Sequence, residues 1–180
     1  MGGVHRLAAP RPLTVRLVPL GPEHLDAVAA LLEDHEVLHF TRIPEPPPDD
    51  FPRTWLARYE EGRRDGTREA FAAVDGGGEF LGLALAPDVD RVGREVELGY
   101  IVAAGARGRG VATQILGLLT RWAFDEAGAL RIRLVIDVEN PASERVAERC
   151  GYVREGVMRS VHLKDDVRVD AGLWSRLASD

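Results

Sequence analysis

One cysteine, Cys150, and one lysine, Lys164, stand in a chain of 180 residues. A lone cysteine excludes an intramolecular disulfide and any cysteine-based zinc cluster within one chain. The other basic residues are all arginine, so a Walker A phosphate loop, which needs lysine directly after glycine, is excluded too. No apolar run approaches the roughly 18 residues of a membrane span, and the N-terminus has no signal-peptide core. Positive charge is in deficit, 23 basic against 29 acidic residues for a net charge of −6, which argues against nucleic acid as a partner. What remains is a globular mixture, 45% hydrophobic and 29% charged, at a length suited to one domain. Such a chain buries roughly 70% of its unfolded surface, enough for a core without metal or disulfide. The expectation is a soluble cytoplasmic protein, with residues 1–12 a loose N-terminal arm and residues 13–180 the domain.

Hydrophobic spacing orders the elements. Leu13 to Val18 predicts a strand, and Leu25, Val28, Ala29, Leu31 and Leu32 fall on one face of a helix begun at Glu23. The run Pro44-Glu45-Pro46-Pro47-Pro48 must be loop, because proline neither continues a helix nor donates to a sheet. A helix follows from Asp49, with Trp55, Leu56 and Tyr59 on its apolar side. Glu69–Val74 and Phe80–Ala86, separated by Asp75-Gly76-Gly77-Gly78-Glu79, predict a hairpin. Strands over Glu95–Val102 and Ile132–Val138 flank a helix over Val111–Glu126. A short helix, capped by Asn140 with Pro141 in its first turn, ends at Gly151 and precedes two strands near 152–159 and 167–174. The order β-α-α-β-β-β-α-β-α-β-β predicts a single-domain mixed α/β sheet covered by helices.

Arg107-Gly108-Arg109-Gly110-Val111-Ala112-Thr113 lies between a predicted strand and a predicted helix. Unpaired N–H groups and the positive end of the dipole make such a helix start a phosphate site. Glycine lets backbone approach the anion, and two arginines offer charge-assisted hydrogen bonds. A dinucleotide fingerprint fails, since Thr113 stands where its third glycine belongs.

Arg107-x-x-Gly110-x-Ala112 resembles the R/Q-x-x-G-x-G/A motif of the GNAT N-acetyltransferase family. The segment from Asn140 through Ser143, Val146 and Glu148 to Gly151-Tyr152 is similar to N-x-x-S-x-x-V-x-E-x-x-G-F/Y of that family's RimJ/RimL-like branch, the ribosomal-protein N-terminal acetyltransferases. Glu97-Leu98-Gly99-Tyr100 resembles the same branch's E-[IL]-G-Y strand. The resemblance covers residues 90–160 tightly. It implies a mostly antiparallel mixed sheet with helices on both faces, acetyl-CoA as acetyl donor, no resident metal, and a monomer or homodimer. Its acceptor would be a protein N-terminus or a small amine. By this resemblance Arg107, Gly108, Arg109, Gly110, Val111, Ala112 and Thr113 would hold the pyrophosphate. Ile101 and Val102 would face the pantetheine and carbonyl, and Asn140 and Ser143 would also lie at the cofactor.

Acetyl transfer needs a neutral amine and a stabilised leaving thiolate. Glu97, alternating with Val96 and Leu98 on an apolar strand, is the candidate base, with Glu95 its rival on the same face. The backbone N–H groups of Ile101 and Val102 are candidate oxyanion donors. Many family members carry a tyrosine acid seven residues after the motif asparagine, where this chain has Ala147. Ser143 is therefore the candidate acid, unless it serves only the start of its helix. Tyr100 and Tyr152 are expected as wall or core aromatics, Cys150 as inert packing, and Pro46, Trp55 and Tyr59 as lining of the acceptor groove.

Two other functions compete. His35-Glu36-Val37-Leu38-His39 reads H-E-x-x-H, the spacing of a zinc hydrolase, with Glu61 and Asp65 as further ligand candidates. A non-catalytic acyl-CoA sensor on the same fold would bind the cofactor without releasing free thiol.

Overall fold

The computed structural model describes residues 13–164 and 166–180, so the expected arm over 1–12 lies outside the described residues. The chain runs β1 (Arg16–Pro19), α1 (Leu25–Leu31), α2 (His35–Phe40), α3 (Phe51–Asp65), β2 (Glu69–Val74), β3 (Phe80–Asp90) and β4 (Glu95–Val102). It continues with α4 (Val111–Asp125), β5 (Arg131–Asp137), α5 (Pro141–Arg149), β6 (Val153–Lys164) and β7 (Val167–Leu177). One seven-stranded sheet forms in the order β1-β2-β3-β4-β5-β7-β6, antiparallel except for β4 beside β5. Helix α4 makes the long crossover that a parallel pair requires.

Helices cover both faces. Val111, Ile115, Leu116, Leu119 and Ala123 of α4 pack on Val96, Leu98, Ile132 and Leu134. On the other face Val28 and Leu31 of α1, Val37 of α2 and Leu56 and Tyr59 of α3 pack on Ala70, Ala72, Leu83 and Ile101. Alternation along β4 therefore sends Val96, Leu98, Tyr100 and Val102 toward α4, and Glu95, Glu97, Gly99 and Ile101 toward α1–α3.

Helix α2 is absent from the expected order. The chain turns after Leu31 and starts again at Asp34, whose side chain accepts the Glu36 N–H at 2.9 Å, a capping bond that separates the two helices. Strand β3 runs on to Asp90 rather than ending at Ala86, because Pro87 lies where the register with β4 shifts between Leu85 and Asp88. A bulge tolerates a residue with no N–H. No helix among the described residues is long and apolar enough to cross a membrane.

Candidate active site

Strands β4 and β5 pair only through Glu95↔Arg131, Val96↔Ile132 and Glu97↔Arg133. Both continue, to Val102 and Asp137, without pairing to each other. They open a wedge through the sheet, bounded by Leu98–Val102 on one side and Leu134–Asp137 on the other. Ala103 donates to the Leu81 carbonyl at 2.9 Å, and an antiparallel ladder repeats every second residue, so the Ile101 N–H also faces β3. The Val102 N–H faces the wedge, as its carbonyl does in accepting Arg107 Nε at 3.2 Å.

At the mouth of this wedge lies the glycine-arginine loop. Gly108 (φ 71°) and Gly110 (φ 77°) both hold the left-handed conformation that glycine adopts without steric cost. Gly110 caps α4 with no side chain, and the first bond into the helix is Gln114 N–H to Gly110 O at 3.2 Å. The N–H groups from Gly108 through Thr113 have no partner among the described residues. Consecutive free donors at a helix start suit an anion, and they fit a pyrophosphate.

The two arginines of the loop differ. Arg109 has no ion pair among the described residues. Arg107 turns away from the loop: its guanidinium donates to Asp34 Oδ2 at 2.6 Å and to Glu36 Oε2 at 2.9 Å. The expectation of two arginines offered to one phosphate is corrected here, because the carboxylates that open α2 already occupy Arg107. Burial pushes the Asp34 carboxyl up, but the Glu36 N–H and the Arg107 fork outweigh it and hold it below the usual value.

Glu97 and Glu95 lie on the opposite face, in a cavity of about 500 Å³. Side-by-side pairing with Arg131 and Arg133 turns this end of the β4–β5 pair into a charged layer. Arg133 reaches Glu95 at 2.5 Å, Glu97 at 3.0 Å and Asp88 at 2.8 Å, while Arg131 reaches Glu95 at 2.8 Å and Glu155 at 2.7 Å. Arg42, after α2, donates to Glu97 Oε1 at 2.9 Å. Glu97 is thus no lone carboxylate on an apolar strand: both oxygens are held, one by half-buried Arg133 and one by Arg42, itself 61% exposed. His162 lines the same cavity, and burial together with nearby Arg42 holds its imidazole below the usual value against the opposing charges of Glu97 and Asp137.

On the α4–α5 side, Asn140 is the helix cap, its Oδ1 accepting the Ser143 N–H at 3.0 Å. Capping therefore falls to Asn140 and not to Ser143. The Ser143 hydroxyl instead meets the Tyr100 hydroxyl, 2.8 Å away across the wedge from β4. Burial pushes the Tyr100 phenol up to about 12, against the lowering effect of the Ser143 bond. Ala147 is fully buried, and Tyr152 is a core residue bonded to Thr120 at 2.7 Å. Cys150 is half-buried, its thiol pushed up by burial.

Other expected residues go elsewhere. Tyr59 is buried in the α1–α3 core, Pro46 is exposed, and Trp55 borders a small apolar pit. In the H-E-x-x-H segment Glu36 serves Arg107, and His35 lies 3.3 Å from Glu45 in solvent. Among the described residues no three His, Cys, Asp or Glu side chains group as metal ligands. Sequence reasoning missed Arg42 and His162, which stand in no motif, and the bond between Tyr100 and Ser143, which stand in two separate motifs with nothing in either to pair them. It also missed Lys164, whose ammonium donates to the Leu38 and His39 carbonyls and ties the β6–β7 hairpin to the end of α2.

Residues 14–153 match a family model described as an acetyltransferase (GNAT) domain. Over 101 residues the chain is 30% identical to the ribosomal-protein-serine acetyltransferase of Escherichia coli, a match covering 55% of each chain. Over 98 residues it is 26% identical to the spermidine N(1)-acetyltransferase of Vibrio cholerae, covering 54% of this chain and 57% of that one. The chain thus aligns with about half the length of these curated relatives. A crystal structure of spermidine N-acetyltransferase from Vibrio cholerae with CoA and spermine superposes with TM-score 0.80 at 22% identity, over 93% of this chain and 96% of that one. RimL, a ribosomal alpha-N-protein acetyltransferase in complex with coenzyme A, gives TM-score 0.82 at 19% identity, over 91% and 94%. Likeness at such identities establishes the fold.

Proposed function

Because the chain belongs to the GNAT acetyltransferase family, we propose that it moves the acetyl group of acetyl-CoA to a primary amine by direct attack on the thioester. The observation that carries this is the row of free N–H groups from Gly108 to Thr113 at the mouth of an open β4–β5 wedge. Those donors, with Arg109, hold the pyrophosphate, and the Val102 N–H meets the thioester carbonyl as negative charge develops there. The amine approaches from the cavity face, where Glu97, directly or through a water, takes its proton. The Ser143 hydroxyl, on the other face, meets the sulfur as the C–S bond breaks.

The acceptor is an α-amino group or a small amine. An α-amine, with pKa near 8, is roughly one-tenth neutral at pH 7, whereas a lysine amine is less than about 0.1% neutral. The enzyme acts in the cytoplasm, as a monomer or homodimer, with residues 13–180 as its catalytic domain. Calorimetry with acetyl-CoA, with dephospho-CoA and zinc as controls, tests the cofactor, and release of free thiol on adding amines tests the reaction. Cofactor binding without thiol release would identify an acyl-CoA sensor instead. Glu97→Gln is expected to lower turnover roughly 10²–10⁴-fold with cofactor affinity intact; unchanged turnover would move the base to Glu95 or His162.

A further inference from the structure

Ser143 has a hydroxyl with one partner. Its backbone N–H is already held by Asn140, at 3.0 Å to the side chain and 3.1 Å to the carbonyl. The hydroxyl makes no bond back into its own helix; among the described residues it meets only the Tyr100 hydroxyl at 2.8 Å. Tyr100 comes from β4, on the far side of the wedge, and its ring packs against the α4–α5 core. The bond therefore spans the opening that the unpaired strands leave.

Which oxygen donates decides what the pair can do. A phenol is a far stronger acid than an aliphatic alcohol, so in a phenol–alcohol pair the phenol donates and the alcohol accepts. Burial keeps the Tyr100 proton in place at every working pH. With Tyr100 donating, one lone pair of Ser143 Oγ is fixed and its own hydrogen must point elsewhere, free for another acceptor. A chained donor is also polarised into a better one.

We infer that Tyr100 is a positioning residue, holding the Ser143 hydroxyl with its hydrogen aimed at the departing sulfur. This rests on the acetyl transfer proposed above, with Ser143 at the leaving group. As the C–N bond forms and the C–S bond breaks, the electron pair stays on sulfur and is stabilised by the Ser143 O–H. Tyr100 loses no proton, and the proton shed by the amine passes through Glu97 to solvent. The arrangement takes over the duty that a tyrosine would have at position 147, where this chain has alanine and no hydroxyl.

Tyr100→Phe, Ser143→Ala and the double variant test it, each measured for kcat, KM, acetyl-CoA affinity and Tm. Ser143→Ala is expected to lower kcat more than tenfold. Tyr100→Phe should lower kcat about tenfold, the scale of one oriented hydrogen bond, with cofactor affinity unchanged. The double variant should be no slower than Ser143→Ala alone, and Ser143→Thr should recover part of the loss only when Tyr100 is present. A Tyr100→Phe variant with lowered Tm and unaltered kcat would overturn the inference while leaving Ser143 in place. Losses that multiply in the double variant would overturn it as well. Full activity in Ser143→Ala would remove Ser143 and Tyr100 together. Absence of thiol release by the wild type with every amine would defeat the acetyltransferase proposal itself.

Discussion

Arg107 and Arg109 sit two residues apart in one motif, yet alanine at each should break different things. Arg107 donates to Asp34 at 2.6 Å, to Glu36 at 2.9 Å and to the Val102 carbonyl at 3.2 Å. Glu36 is 58% exposed, so its arm contributes about 0.5 kcal/mol. The Asp34 arm, with that carboxylate only 19% exposed, contributes about 1.5 kcal/mol, and the carbonyl about 1 kcal/mol. Arg107→Ala should therefore cost about 3 kcal/mol, a fall in Tm of roughly 6–12 °C for a domain of this size. Among the described residues Arg109 makes no hydrogen bond or ion pair, so Arg109→Ala should leave Tm within about 1 °C. It should weaken acetyl-CoA about tenfold, a loss that shrinks at high salt. Differential scanning calorimetry and titration calorimetry on both variants give four numbers. An Arg107→Ala protein of unchanged Tm with cofactor affinity reduced tenfold would refute the strut and return Arg107 to the phosphate.

The Asp34 partner adds a pH arm to the same experiment. Its folded carboxyl lies below the unfolded aspartate value, so the stabilisation is complete above about pH 3.9 and disappears as pH falls through the folded value. The Tm gap between wild type and Arg107→Ala should accordingly narrow in acid, and a gap independent of pH would assign the loss to packing alone.

Gly110→Val should fold, since nothing lies within 4 Å of the added Cβ, but at φ 77° it is strained and covers the free donors; acetyl-CoA affinity should fall roughly a hundredfold, as for two lost charge-assisted bonds, in titration calorimetry. Glu155 is held at about 2, first by Arg131 and then by the Ser175 hydroxyl, so its stabilisation is present above about pH 4.3 and lost as pH falls toward 2; thermal melts of Glu155→Gln and wild type should converge over that window. Gly82→Ala places a Cβ 2.1 Å from the Ile101 carbonyl oxygen, a backbone atom with nowhere to go, and should lower Tm by about 10 °C or more. An unshifted Tm there would mean that β3 and β4 slide freely past each other.

The sequence makes the loop and its two neighbours legible because each rests on a local rule. Glycine at positive φ, a helix start with no side-chain cap, and Asn140 before Pro141 are decided within a few residues. The expected bounds of β4 held, and those of β5 to within one residue, for the same reason, since period-two burial along them is a local pattern. What was not legible is long-range. Asp34 and Arg107 stand 73 residues apart, Arg42 and Glu97 stand 55 apart, and Tyr100 and Ser143 stand 43 apart. No periodicity signals such bonds, and arginine is so common in this chain that its partners cannot be chosen from composition. The H-E-x-x-H segment entered only as a competing zinc-hydrolase spacing and not as an element of the expected order, although it forms α2; its Glu36 carboxylate pairs with Arg107.

Glu97 and Tyr100 are three residues apart on one strand, an odd separation, and so must project from opposite faces of the sheet. In a fully paired sheet they could not serve one reaction, because a continuous ladder would lie between them. Here the β4–β5 pairing ends at Glu97 itself, and of the two residues before Tyr100 the one that shares Glu97's face is Gly99, whose Cβ position meets no heavy atom within 4 Å. The opening thus begins where the carboxylate stands and passes a position without a side chain to reach the hydroxyl. A parallel pair can separate in this way because its far strand is not left as an edge: β5 keeps a complete antiparallel ladder with β7 from Arg131 to Asp137. The charged layer of Arg131 and Arg133 with Glu95 and Glu97 then fastens the closed end of the wedge, holding the two strands together where the backbone stops doing so. In the acetyl transfer proposed above, that geometry would let Glu97 take the amine proton on one face while Ser143 meets the sulfur on the other, with the acetyl group held between them in the opening of the sheet.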